Sequence, residues 1–205
     1  MLITFMIAAY IFVFALVVAY LETQIEGKNG WAAKLPTWRY PHANVKAVAQ
    51  KTVHLVFMHR YRGKQITGYH LAMSTVLAMA FGFPFVYGYP VTWENISLQT
   101  SVYVLFVIVW DFLWFVINPY YTLQNFNRDK VWWHTTWIGR VPIIYLAGTA
   151  LSFLLVLPYT FIYKTTDLTL AWLIYAGTFS IGTIVVMVAA NCLIRATKKN
   201  SKKNI

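Results

Sequence analysis

Five long apolar runs, separated by polar segments of unequal length, dominate the chain. They cover about residues 2–21, 67–89, 98–117, 141–163 and 168–193. An α-helix needs about 20 mostly apolar residues to cross a bilayer, and each run supplies that length. The first run carries no charge and the third carries a single acid, Asp111. Pro119 and Pro142 stand where helices should end and begin, because proline cannot continue a helix but is tolerated in a first turn. Pro84 falls inside the second run and should kink or shorten it. The pattern predicts an all-α, polytopic integral membrane helical bundle, with about five transmembrane helices and one or two interfacial ones. It is organised as a single domain over 1–195 with a basic cytosolic tail over 196–205.

Composition agrees. Of the 205 residues, 59% are apolar and 11% charged, with a mean hydropathy of +0.55. Soluble domains are about 45–50% apolar and about 25% charged. Too little polar surface remains to cover a globule in water. A disordered chain, a nucleic-acid arm and a disulfide scaffold are excluded as well. Cys192 is the only cysteine, so neither an intrachain disulfide nor a cysteine-based metal site is available.

The net charge of +11 takes its meaning from its placement. Sixteen of the 17 basic residues fall on one side of a five-crossing topology, and only Lys164 falls on the other. Lysine and arginine are retained in the cytoplasm, so the N-terminus is expected outside and the C-terminus in the cytosol, with the plasma (inner) membrane as the default location. The first run lacks a basic n-region and a small-x-small site before Glu22, which favours an uncleaved anchor over a signal peptide. The expected partners are membrane lipids with anionic headgroups at the cytosolic leaflet. A membrane-protein partner or a homo-oligomer is compatible with the sequence, and nucleic acid is not expected.

Two cytosolic segments are more than linkers. Val45, Val48, Ala49, Thr52, Val53, Val56 and Phe57 recur at helical spacing, predicting an interfacial helix over about 44–60. Arg39, Arg60 and Arg62 are candidates to hold a lipid headgroup there. Trp132, Trp133 and Trp137 place the second segment at the membrane surface. The small-residue pairs Gly148/Ser152, Ala176/Ser180 and Thr178/Gly182 predict close helix packing within the bundle.

Candidate chemistry is sparse and one-sided. Asp111 lies about 10 Å of helix rise before Asn118, at a depth where a carboxylate costs about 2.5–3.5 kcal/mol. It therefore needs a partner, a cavity or a function. The topology brings Glu22, Glu26, His70 and His134 to the same cytosolic half, and all five are candidate catalytic residues for acid–base chemistry. The cofactor is not specified. A metal, if present, would fall to His70, Asp111 and His134, although none of the residues stands at a known metal-motif spacing. A bis-histidine haem would need His70 and His134 at matching depth. Nucleophile-elbow, dinucleotide and phosphate-loop motifs are absent. The leading expectation is a small enzyme acting on a lipid or apolar substrate at the cytosolic leaflet through an Asp/His site. A non-catalytic subunit or anchor of a membrane complex is the alternative, with a proton- or cation-linked transport component behind it.

Overall fold

The computed structural model describes residues 1–40, 66–121, 123–164 and 166–203. It contains five helices long and apolar enough to cross a membrane: α1 (Leu2–Glu26), α2 (Gly68–Val86), α3 (Trp93–Ile117), α4 (Ile143–Ile162) and α5 (Asp167–Lys203). The protein is an all-α integral membrane bundle. A single 3-10 turn (Leu123–Asn125) and two short antiparallel pairs complete the regular structure of the described residues. β1 (Arg39–Tyr40) pairs with β2 (Ile66–Thr67), and β3 (Trp137–Ile138) pairs with β4 (Val141–Pro142). The second pair closes through Gly139 at φ +58°, a conformation that glycine adopts without steric cost. The expected interfacial helix over 44–60 lies outside the described residues.

Four boundaries depart clearly from the apolar runs, three of them for a local reason. α1 continues past residue 21 through Glu26, because Glu22, Thr23 and Glu26 are buried in the bundle instead of facing lipid. α2 stops at Val86, two residues after Pro84, which removes a backbone donor and crowds the preceding turn. α3 starts at Trp93, where the Thr92 hydroxyl caps Asn95 N–H at 3.3 Å and Glu94 meets the positive end of the helix dipole. α5 remains helical through Lys203, and so takes in most of the stretch read as a tail.

α3 is the central helix. Half of its spanning window is buried, against 11–28% for the other four. It packs on α1, α4 and α5, and its Val102, Leu105, Phe106 and Leu113 share one buried cluster with Ala8, Phe12 and Ala15 of α1 and Phe179 of α5. Gly148, Ser152 and Gly182 act as the sequence predicts, whereas Ser180 is exposed and lines a groove with Ala176. A Cβ on Gly148 would come within 2.7 Å of Ile108, and one on Gly182 within 2.6 Å of Phe12. Ser152 accepts from Trp172 Nε1 at 2.7 Å, while its carbonyl accepts from Ser101 Oγ at 2.7 Å. Large apolar side chains such as Leu2, Met79, Phe161 and Ile181 point outward, as lipid-facing residues do.

Alternating helix direction brings the C-terminal ends of α1, α3 and α5 together with the N-terminal ends of α2 and α4. Asn118, buried just past α3, donates to the Gly27 carbonyl at 2.8 Å and ties two of those ends together.

Candidate functional site

Glu22 and Glu26 lie one helical turn apart at the end of α1, on one face. They are only 7% and 6% exposed. Four residues of the following turn have positive φ: Gly27, Gly30, Trp31 and Ala32. For Trp31 and Ala32 that conformation costs of order 1 kcal/mol or more each. It also places both residues usefully, since Ala32 N–H donates to Glu26 Oε1 and the Trp31 ring stacks on His70 with centroids 4.0 Å apart. Arg39 closes the turn from outside by donating to the carbonyls of Ala32 and Leu35.

His70 enters from the first turn of α2. Thr67, fully buried, is the N-cap of that helix: its hydroxyl accepts from His70 N–H at 3.1 Å and also meets His70 Nδ1 at 2.6 Å. The ring is held by Nδ1, and Nε2 faces Glu26 Oε1 at 3.6 Å. The ligand-capable atoms of Glu22, Glu26 and His70 lie within 4.8 Å of one another.

A second histidine–carboxylate pair lies across the same space. His134 Nε2 is 3.0 Å from Asp111 Oδ2. The same oxygen accepts the hydroxyl of Tyr145, from the first turn of α4. Asp111 stays about a third exposed, at 35%, so the pair is reachable. His134 is carried by the tryptophan-rich segment, which folds back onto α3: Trp133 stacks on Phe115 at 5.8 Å and meets Trp114 edge-on. The Trp133 ring also lies against Gly30, where an added Cβ would meet it at 2.3 Å. Tyr121 supports this cluster, its hydroxyl donating to the Lys130 carbonyl at 2.7 Å; burial raises its phenol above the usual range.

All five residues singled out from the sequence, Glu22, Glu26, His70, Asp111 and His134, line one cavity of about 260 Å³. They are not one ligand set. His70 sits with the two glutamates, while Asp111 and His134 pair with each other. Among the described residues, no lysine or arginine lines the cavity. Its remaining wall combines the aromatic Trp31, Trp110, Trp114, Trp133 and Tyr145 with Ser74 and three aliphatic side chains. Trp110 Nε1 and the Tyr69 hydroxyl face Glu22, yet both fall short of hydrogen-bond geometry. Trp114 Nε1 is also buried without a partner. Arg60 and Arg62 lie outside the described residues.

Sequence reading missed Tyr145, Thr67 and Trp31. Thr67 had a signal, as a threonine three residues before His70 at a helix start. Tyr145 had none that separates it from the other tyrosines. No protein-family model, curated protein or solved structure matches the chain.

Beside the cavity runs an apolar groove of about 400 Å³ between α3, α4 and α5. Ile108 and Tyr145 line both spaces.

Proposed function

We propose that this multi-pass membrane protein is an enzyme acting on a lipid or another apolar substrate at the cytosolic leaflet. The carrying observation is the hydrogen-bonded group Tyr145–Asp111–His134 on the wall of a cavity that adjoins an apolar groove. An imidazole held by a carboxylate can accept a proton from a substrate and return it. Asp111 orients His134 in this role and disperses the charge that the ring acquires. Tyr145 holds Asp111 and borders the groove. Glu22, Glu26 and His70 form the opposite wall.

The topology read from the sequence assigns sixteen of 17 basic residues to this side, which supports a cytosolic orientation with the N-terminus outside; the plasma membrane is kept as the default location. Anionic headgroups would be drawn to the same face, by about 1 kcal/mol per basic residue near the surface.

The test is chemical. Purified protein is reconstituted into vesicles of total membrane lipid extract, and the lipids are followed by liquid chromatography–mass spectrometry. Wild type should convert at least one lipid species, and His134→Ala should slow that conversion by about 100-fold or more. Identical lipid profiles from wild type, His134→Ala and empty vesicles would reject an enzyme of lipids. Recovery of the chain only with a stoichiometric membrane partner, together with such unchanged lipids, would point to a subunit instead.

A further inference from the structure

We propose that Glu22, Glu26 and His70 hold a divalent transition-metal ion, manganese, iron(II) or zinc. The proposal deepens the reading of the cavity as a catalytic site and rests on it for the ion's role; the ion's presence is measured independently of turnover.

The geometry is that of an assembled ligand set. Bonds of about 2.0–2.2 Å from a metal to nitrogen and oxygen place neighbouring ligand atoms about 3–4 Å apart. His70 Nε2 and Glu26 Oε1 are 3.6 Å apart, and the whole trio falls within 4.8 Å. The ligands come from two helices, both fixed before any ion arrives. Glu22 and Glu26 share one face of α1, and Ala32 N–H pins Glu26. Thr67 meets His70 at Nδ1, so Nε2 is the nitrogen presented to the glutamates. This is the outer-shell contact that metal-binding histidines use.

Electrostatics favour a cation independently of that geometry. Three carboxylates, those of Glu22, Glu26 and Asp111, line the cavity together with two imidazoles. Carboxylates one turn apart in a buried site repel each other, and a divalent ion offsets that repulsion. The buried donors point the same way. Trp110 is nine-tenths buried, and its indole N–H is aimed at Glu22 without a hydrogen-bond partner, as is the Tyr69 hydroxyl. Such donors suit an anionic oxygen held at an ion: a carboxylate drawn toward the metal, or a bound water. Mixed nitrogen and oxygen donors without thiolate select manganese, iron(II) or zinc over copper(I). At this place an ion would act as a Lewis acid toward a polar group of the substrate.

The experiment is metal analysis by inductively coupled plasma mass spectrometry on the full chain, purified in detergent without chelators. Wild type should carry about one such ion per chain. Glu26→Gln, nearly isosteric, and His70→Ala should each lower the content at least tenfold. Thr67→Val leaves all three ligands in place and should weaken rebinding of Mn²⁺ to chelator-stripped protein by about 10–100-fold, so the proposal stays testable if His70→Ala does not fold. Asp111→Asn should keep its metal. Wild type without metal that also fails to bind added Mn²⁺, Fe²⁺ or Zn²⁺ would overturn the inference, even if His134→Ala still abolished turnover. Full metal content in Glu26→Gln and His70→Ala would overturn it as well. Loss of turnover in His134→Ala with metal retained supports both readings separately.

Discussion

At the end of the bundle where α1, α3 and α5 finish, ionisable side chains from four helices and one loop converge on a single cavity. At the opposite end, polar side chains meet in small, mostly neutral pairs. Ser97 bonds Tyr159 at 3.0 Å, Thr160 bonds Thr169 at 2.6 Å, and Asn95 bonds both Tyr89 and the Pro90 carbonyl at 2.9 Å. Glu94 and Asp167 are the acids there, and the neighbouring Glu94 raises the exposed Tyr163 phenol above its usual range. Among the described residues, no buried side-chain donor at the opposite end lacks a partner. The cavity end retains unpartnered buried N–H and O–H groups, clustered carboxylates and a strained turn. Features of that kind persist where surrounding structure holds them, and they gather at functional sites.

The contrast can be broken by substitution. Tyr145→Phe removes a hydroxyl bonded to a carboxylate, a contact of about 1.5–3 kcal/mol. It should cut turnover per folded molecule by about 10–100-fold, beyond the fall of a few degrees in unfolding midpoint that losing such a contact brings. A large midpoint drop with normal turnover per folded molecule would make Tyr145 a packing residue. Gly182→Leu should behave in the opposite way, because its side chain would strike Phe12 at the α1–α5 contact. Overpacking of this kind costs about 1–3 kcal/mol, visible as earlier thermal unfolding, with turnover per folded molecule preserved. Thr160→Ala, at the far end, should be the mildest: interhelical hydrogen bonds in membranes average about 0.6 kcal/mol. A small midpoint shift with unchanged lipid conversion is expected, and any loss of conversion would show that the far end also takes part.

The two ends also differ in how far they can be read from sequence. The five spans are legible because lipid tolerates no long polar surface, so the apolar runs announce them. Their order then assigns Glu22, Glu26, His70, Asp111 and His134 to one end without knowledge of any contact. Rotation of each helix about its axis is not legible. It depends on side-chain packing, such as Phe12 against Gly182, and it decides that His70 meets Glu26 while Asp111 meets His134. The true end of α1 was hidden for a related reason: Glu22 and Glu26 terminate an apolar run, yet the helix continues because those carboxylates face inward. Trp31 was hidden by backbone conformation, since a tryptophan at φ +55° has no signature in composition or spacing.

The most direct test measures stability and turnover side by side for Asp111→Asn, which keeps the shape of the side chain and removes its charge. A working site predicts an unfolding midpoint close to wild type with lipid conversion lowered by about 100-fold or more. An Asn variant that unfolds much earlier, yet converts lipid at the wild-type rate per folded molecule, would make Asp111 a structural anchor and contradict the account.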